Sequence, residues 1–378
     1  MLVQYRNMQN ATTTINFQEL LVSLLSKLSE REQEILKRRY HLTSDLEKKS
    51  TLKQIGDFYS ITRERVRQIE KEAIRKLTEL KEASEFADQL NVLETDFTGY
   101  LERNGGLARE DNLLSEHARQ KHDFDFFHTN AFLFVVDHLF ASAGKQSSND
   151  DLHPVWYLKE FDINQVVDLL AEVAKQVESE KKLHSHEEIV RVAEDNLTED
   201  LKASIENYLS KHSQLELKQV LESYLNASTL VEKNILDQWG LAGWENIGPK
   251  KLGDKILLIF QKQNEPLHFR DIAEKINEAN FDHKNICAAT VHNELIANDK
   301  YVLIGRGIYA LKEWGYKTGT VAEIIESVLR KSDHPMTKDE IYEEVLKQRK
   351  VNKSTIYLTL INKDKFEKVG ANKFSLRK

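Results

Sequence analysis

The chain has 378 residues, 40% of them hydrophobic and 30% charged, which is enough apolar material for two or three domains, or for more if they are small. A mean hydropathy of -0.54 and the short apolar runs exclude a membrane-spanning helix, and residues 1–17 show no secretion signal, so we expect a soluble, cytoplasmic protein. A single cysteine, Cys287, excludes an internal disulfide and a cysteine-ligated zinc site, and the four prolines and 14 glycines argue against collagen-like or turn-dense all-β folds.

The net charge of -7 is distributed unevenly along the chain. Residues 1–80 carry 15 Lys/Arg against 11 Asp/Glu, and residues 331–378 carry 12 against 7, whereas residues 81–330 carry 27 against 43. Both ends are therefore suited to approach a polyanion that the middle would repel, although most of these charges are expected simply to solvate helices.

The first predicted elements are two helices. Apolar residues at helical spacing from Phe17 to Leu28 predict the first, and Ser29 followed by Glu32 is a capping-box pattern that predicts the start of the second. The polar stretch Thr43–Lys49 then interrupts the apolar pattern.

A helix-turn-helix follows. The pattern predicts a short helix over about 51–58, a tight turn at 59–61 and a long helix from Thr62 to about Leu80. The apolar positions of the long helix share one face: Val66, Ile69, Ala73 and Leu77. A short helix, a turn and a long helix in this order are typical of a helix-turn-helix.

Beyond residue 85 the chain repeats a shape, because helix-rich segments end in short β-like stretches every 60–80 residues or so. The clearest has helices over 251–261, from 267 and over 289–298, followed by two strands within 301–311, and residues 321–376 repeat this order. Three helices and a β-hairpin describe a winged helix. We therefore predict a mainly α fold with small β wings: a helix-turn-helix domain at 15–82, then winged-helix or helical modules at 86–160, 163–245, 248–316 and 318–378.

The second helix of the helix-turn-helix carries side chains suited to reading DNA. With its apolar face buried, the opposite face presents Glu64, Gln68, Lys71 and Arg75, with Arg63 and Arg67 beside it. In a major groove, Arg, Glu and Gln can read guanine, cytosine and adenine edges, while surrounding cations hold phosphates. The alternative is an ordinary salt-bridged amphipathic helix.

Residues 17–80 closely resemble the fourth conserved region of the bacterial sigma-70 family, which reads the promoter −35 element. The resemblance is carried by Leu28–Glu32, Ile35-Leu36, Arg39-Tyr40, Thr51-Leu52, Ile55-Gly56, Thr62–Glu70 and Ala73–Leu77. The uninterrupted run Thr62–Glu70 is the most specific part of this pattern.

The resemblance implies a set of DNA contacts. Bases would be contacted by Arg63, Glu64 and Gln68, and the phosphate backbone by Thr51, Thr62, Arg65 and Arg67. The family commonly has a lysine where this chain has Glu72, so one phosphate contact would be missing or taken by Lys71.

The resemblance also implies a protein partner, since this domain docks on the flap of the RNA polymerase β subunit through its first two helices. The candidates are Leu24, Leu25, Leu28, Ile35 and Leu36, and we expect core packing for each. No stretch resembles the second region of sigma factors, so we do not expect a self-sufficient initiation factor.

Residues 248–316 resemble the HARE-type winged helix of RNA polymerase delta subunits and chromatin-associated proteins. This resemblance is carried by Pro266–Ala273, Thr290–Leu295 and Gly305–Leu311. It implies a transcription or chromatin context and leaves open whether the module binds DNA or a protein.

No arrangement of residues suggests catalysis, so we expect no enzyme, cofactor, metal site or small-molecule substrate. His184 and His186 lack the second histidine of a zinc-protease motif and are expected on the surface at a helix start. We expect 305–307 to be a wing turn, His268 to have a core or capping role, and Cys287 to be a small buried hydrophobe.

Two functional hypotheses follow. The first is a sequence-specific transcription factor related to sigma factors, which recognises a −35-like element in double-stranded DNA and acts with bacterial RNA polymerase in initiation or its regulation. The alternative is an RNA polymerase-docking accessory protein, delta-like or a sigma mimic, that modulates transcription without reading sequence.

Overall fold

The computed structural model describes residues 17–43, 48–82, 84–120, 126–282, 284–361, 365–370 and 372–377. Helix makes up 59% of the structure, and the described residues contain 17 helices and small antiparallel sheets of two or three strands. The predicted mainly α fold is thus confirmed. None of the described helices is both long and apolar enough to cross a membrane. Residues 1–16, where no secretion signal is expected, lie outside the described residues. So do residues 44–47 of the polar stretch.

The chain divides into two compact units, the first comprising residues 1–182 with 187–232 and the second 183–186 with 233–378. The first unit begins with four helices: α1 (Phe17–Leu25), α2 (Glu30–Tyr40), α3 (Leu52–Tyr59) and α4 (Arg63–Glu82). Capping boxes start two of them, since Ser29 with Glu32 caps α2, as predicted, and Thr51 with Gln54 caps α3.

Two cores hold these four helices. Ile35, Ile55 and Val66 form a small core between α2, α3 and the start of α4. The C-terminal half of α4 instead contributes Ala73 and Leu77 to a larger core that also contains leucines of α1. The start of α4 therefore packs with α2 and α3 in a small core, whereas the C-terminal half of α4 belongs to the core of the rest of the unit.

The next elements of this unit supply that larger core. They are α5 (Ser84–Arg103), β1 (Leu107–Arg109), α6 (Glu110–Gln120), α7 (Phe126–Leu139), β2 (Ala143–Gln146) and β3 (Val155–Leu158). The three strands form an antiparallel sheet in the order β1-β3-β2. Helix α7 contacts α1 and α4, because its sequence FFHTNAFLFVVDHL is apolar on most sides and its central residues are buried on nearly every face.

Ring contacts and a hydrogen bond connect α7 to the end of α2. The rings of Tyr40 and Phe134 meet edge to face with centroids 4.9 Å apart, and His138 lies 5.0 Å from Tyr40. The Asn130 Nδ2 donates to the His41 carbonyl over 3.2 Å. The helix-turn-helix is thus braced by residues about 90 positions further along the chain.

Four more helices follow: α8 (Ile163–Glu180), α9 (His186–Asp195), α10 (Glu199–Lys211) and α11 (Leu217–Ala227). Two short strands then form a two-stranded sheet, β4 (Val231–Lys233) and β5 (Trp239–Leu241).

The second unit contains two segments of three helices and three strands. The first comprises α12 (Leu252–Gln263), β6 (Leu267–His268), α13 (Phe269–Ala279), α14 (Ala288–Ala297), β7 (Tyr301–Gly305) and β8 (Ile308–Leu311). The second comprises α15 (Val321–Lys331), β9 (Met336–Thr337), α16 (Lys338–Gln348), α17 (Lys353–Leu360), β10 (Phe366–Lys368) and β11 (Lys373–Leu376). Each has a core of its own.

Three segments of the chain share one connectivity. The segments from α5 to β3, from α12 to β8 and from α15 to β11 each run helix, strand, helix, helix, strand, strand, and in each sheet the last strand lies between the other two. This is the order expected for three helices and a β-hairpin. The division into modules at the boundaries given above stays a prediction.

Two side chains lie where the sequence did not predict them. Cys287 is exposed rather than buried, because it occupies the N-cap of α14 with its Sγ 3.1 Å from the Thr290 hydroxyl. His184 is buried at 1% exposure, because its backbone exchanges hydrogen bonds of 2.9 and 2.8 Å with Trp239. His268 caps α13, as predicted.

Candidate nucleic-acid interface

The turn between α3 and α4 sets the direction of the candidate DNA-reading helix. Ser60 adopts a left-handed conformation with φ +54, which ends α3, and Gly56 lies close to the turn because a Cβ there would be 2.7 Å from the Ile61 carbonyl oxygen. The Thr62 hydroxyl then accepts a hydrogen bond of 3.1 Å from the Arg65 amide and caps α4. The turn therefore presents the N-terminal end of α4 to solvent.

All eight side chains predicted to contact DNA are exposed, and seven of them lie on the first three turns of α4 or at its cap. They are Thr62, Arg63, Glu64, Arg65, Arg67, Gln68 and Lys71, with Thr51 at the start of α3. The apolar face is buried as predicted at Val66, Ala73 and Leu77, while Ile69 is half-buried. The surface combines five cations or amides with one carboxylate, which is a composition suited to a DNA groove.

Several of these side chains pair with one another along the helix. The Glu64 carboxylate accepts hydrogen bonds from Arg67, of 2.9 Å from Nε and 2.6 Å from Nη2, and the hydrogen bond from Arg67 holds the pKa of Glu64 below its usual range. Arg65 Nη1 donates to Gln68 Oε1 over 3.2 Å. Both pairs are exposed and weak, so a bound base or phosphate can replace either partner.

Two other positions considered in the sequence, Thr51 and Glu72, also have local partners. The Thr51 hydroxyl is used in the capping box with Gln54. Glu72, the departure from the sigma pattern, pairs with Arg75 over 2.6 Å and therefore offers no cation of its own. Among the described residues, Arg63 and Lys71 make no side-chain hydrogen bond and point their charges to solvent.

The structure assigns a bracing role to motif residues for which the sequence predicted none. The Glu70 carboxylate accepts a hydrogen bond of 2.9 Å from the Tyr40 hydroxyl and one of 3.3 Å from Arg39 Nε. The Lys76 ammonium donates a hydrogen bond of 2.7 Å to the Glu32 carboxylate. Each bond joins α4 to α2. The sequence could have indicated this role, because helical spacing places Glu70 and Lys76 beside the apolar face of α4, where a base contact is not expected.

The leucines considered for polymerase docking are buried. Leu24, Leu25, Leu28 and Leu36 belong to the core shared with α5 and α7, and Ile35 lies in the core of the helix-turn-helix. Their packing inside the chain is thus confirmed. Among the described residues, no group of three or more His, Cys, Asp or Glu side chains could hold a metal ion.

Comparison with known proteins identifies a family for this region. The Sigma-70, region 4 family matches residues 24–79. The chain is 49% identical over 59 residues to RNA polymerase sigma factor SigA1 of Synechococcus elongatus, which is 16% of this chain and 14% of the relative. It is 37% identical over 73 residues to SigA of Clostridium acetobutylicum, covering 19% of each chain, and 49% identical over 55 residues to RpoD of Helicobacter pylori, covering 15% of this chain and 8% of the relative.

The chain therefore spans less than a fifth of the length of these relatives. No solved structure matches it significantly. The family match coincides with α2, α3 and α4 and with the exposed surface at the start of α4. Residues 24–79 form a Sigma-70 region 4 domain, a type of helix-turn-helix DNA-binding domain.

Proposed function

We propose that this protein recognises a −35-like promoter element through its Sigma-70 region 4 domain and acts with bacterial RNA polymerase in transcription initiation or its regulation. The observation that carries the proposal is the surface at the start of α4. There Arg63, Glu64 and Gln68 are exposed together on a helix whose opposite face is buried. Arginine, glutamate and glutamine are the side chains that discriminate guanine, cytosine and adenine in a major groove.

The remaining residues of this surface suit the phosphate backbone. Thr51 is exposed at the start of α3, Thr62, Arg65 and Arg67 are exposed at the start of α4, and Lys71 lies about one turn further along α4. Contacts of this type set the register of a protein on DNA without reading sequence. We propose Lys71 as the phosphate contact that Glu72 does not supply.

The polymerase is the proposed second partner, because the relatives that match residues 24–79 are RNA polymerase sigma factors. Since the leucines of α1 and α2 are packed inside the chain, we propose that contact with the polymerase, including its β flap, uses other, exposed residues. The segments from α12 to β8 and from α15 to β11 are proposed as winged-helix modules, the first of HARE type, that assist in this assembly.

The test is selection of random double-stranded DNA by the full-length protein, followed by sequencing. We expect enrichment of a short motif resembling TTGACA. The matched control is the Arg63→Ala, Gln68→Ala double variant, which should retain the fold, since both side chains are exposed, but lose the enrichment. Retention of DNA with no enriched motif would favour the polymerase-docking accessory protein, and no retention at low salt would contradict DNA reading altogether.

A further inference from the structure

The last three-helix segment leaves an apolar surface open to solvent. Tyr357, Leu358 and Ile361, at the C-terminal end of α17, are 42%, 64% and 48% exposed, and Val369 on the neighbouring hairpin is 43% exposed. Single exposed apolar residues are ordinary on protein surfaces, but a group of large ones on adjacent elements is typical of a protein-binding site.

A groove runs beside this surface. It has a volume of about 480 Å³ and lies between α17 and the β10–β11 hairpin. Tyr357 and Ile361 line one side of it, and the buried residues Leu360, Phe366 and Phe374 line its base. A groove with an apolar base between a helix and a hairpin suits the apolar face of a helix from a partner.

Two cations line the groove and a third lies beside it. Lys368 and Arg377 line it together with one carboxylate, that of Glu367. The Lys338 ammonium lies 5.0 Å from the centre of the Tyr357 ring, which holds a further positive charge against the patch. Residues 331–378 as a whole carry 12 Lys/Arg against 7 Asp/Glu. The charge of this surface therefore complements an acidic partner.

The side chains of α17 do not suit base reading. Its sequence, KSTIYLTL, contains no Arg, Asn or Gln, which are the residues that make bidentate contacts with purines. A phosphate packed against Leu358, its most exposed apolar residue, would lose water without gaining a polar contact. A partner with apolar side chains fits this helix better than a nucleic acid does.

The same chain already shows how such a helix is covered. In the first segment of this connectivity, Phe134 of α7 packs on Tyr40 of the region 4 domain and lies two residues beyond Phe132, which is buried. Helix α17 holds the same place in its own segment, with Tyr357 and Leu358 exposed. The third helix therefore packs against other helices in one segment and has exposed apolar residues in the other.

We propose that the groove between α17 and the β10–β11 hairpin binds an acidic amphipathic helix of a partner protein. The apolar side chains of that helix enter the groove beside Tyr357 and Ile361, and its carboxylates pair with Lys368 and neighbouring cations. This binding goes beyond the reading of DNA by α4 and does not depend on it.

The test uses full-length protein to select from a displayed library of 18-residue peptides. Apolar residues are set at i, i+3, i+4 and i+7, and all other positions are randomised. We expect the enriched peptides to be acidic. Their affinity is then measured by fluorescence anisotropy. Tyr357→Ser combined with Ile361→Ser is the groove variant, and Lys368→Glu is the charge variant. We expect each to weaken binding about tenfold or more.

Matched controls separate the groove from the general properties of the chain. Ile296→Ser removes an equally exposed apolar residue, at 65%, from the third helix of the preceding segment, and Lys202→Glu changes an exposed lysine of the first unit. We expect both to change the affinity by less than about twofold. Circular dichroism checks that every variant is folded, and binding of promoter DNA, measured in parallel, reports on region 4 separately.

The outcomes divide clearly. The proposal is supported if acidic peptides are enriched and their binding is lost in the groove variant and in the charge variant but retained in both controls. Enrichment of neutral or basic peptides, or no enrichment, overturns it. It is also overturned if the groove variant and the charge variant instead abolish binding of single- or double-stranded oligonucleotides, or abolish self-association of the chain measured by analytical sedimentation.

Discussion

Arg63 and Gln68 differ from Lys71 in what they are expected to recognise, although all three are exposed on α4. Loss of a bidentate base contact in Arg63→Ala or Gln68→Ala should cost about 1–3 kcal/mol on the preferred sequence and relax specificity at one base pair. Lys71→Ala should weaken binding to all sequences alike, because a phosphate contact carries no sequence information. Titration of matched and mismatched duplexes measures this difference. Equal losses on both duplexes for Arg63→Ala would contradict base reading.

Glu94 is a residue-scale example of pH dependence. It is a half-buried carboxylate of α5 that accepts hydrogen bonds from Lys81 of α4 and from Ser142, which follows α7. Burial alone would raise its pKa, but these hydrogen bonds lower it below the ordinary value of 4.5. Because the pKa of Glu94 is lower in the folded state, its ionised carboxylate stabilises the fold fully above about pH 4.5. This stabilisation is lost as the pH falls toward the pKa of the folded state.

The variant Glu94→Gln tests this. We expect it to lower the free energy of unfolding at pH 7 by about 1–3 kcal/mol, since a hydrogen bond to a charged group is lost. We also expect a flatter loss of stability below pH 4.5 than in the parent protein, measured by urea denaturation across pH. The matched control is Glu206→Gln, at an exposed position of α10, which should leave the pH profile unchanged. If the stability of Glu94→Gln falls below pH 4.5 as steeply as that of the parent protein, the role assigned to the Glu94 carboxylate is wrong.

At the scale of the element, Gly56 determines how closely α3 approaches the turn before α4. A Cβ at this position would meet the Ile61 carbonyl oxygen at 2.7 Å, and a backbone atom cannot move aside as a flexible side chain can. Gly56→Ala should therefore lower the free energy of unfolding by about 1–3 kcal/mol, despite the better helix propensity of alanine. Gly99→Ala is the matched control, because its nearest neighbour is the end of the Arg103 side chain at 3.4 Å. Thermal denaturation of the two variants should shift in opposite directions.

Helix α7 is the second element with a testable role. Phe134 is 2% exposed and its ring packs on Tyr40 of α2, so Phe134→Ala should cost about 3–5 kcal/mol. Because α7 braces the helix-turn-helix, hydrogen exchange at the amides of α2 and α4 should become faster. Phe260→Ala, which removes a buried ring from the core of the second unit, is the control. Unchanged exchange in α2 and α4 would mean that the brace does not stabilise the DNA-binding domain.

At the scale of the whole molecule, we expect charge to be the main determinant of the proposed DNA binding. If five or six phosphates are neutralised, the logarithm of the binding constant should fall with the logarithm of salt concentration with a slope near -5. Lys71→Ala should make the slope less steep by about one, whereas Lys202→Ala, in the acidic middle of the chain, should leave it unchanged. The measurement is a salt series of promoter-fragment binding. A flat response would argue that α4 is not on DNA.

Local signals in the sequence predicted the bounds of the helix-turn-helix and the family of the N-terminal domain. The capping box of Ser29 with Glu32 joins residues only three positions apart, and the helices of the segment from α12 to β8 lie close to their predicted positions. The exposed face of α4 could be predicted as well, since helical periodicity alone separates Arg63, Glu64 and Gln68 from the buried face.

Tertiary structure decided which surfaces stay open. Periodicity predicts that the leucines of α1 are buried but not that they share a core with α7, which begins about 100 residues later. It also does not predict that His184 is buried beside Trp239 or that Asn130 of α7 donates to the His41 carbonyl. The physical reason is range: caps and helical faces depend on neighbours within one or two turns, whereas burial depends on partners that only the folded chain brings together.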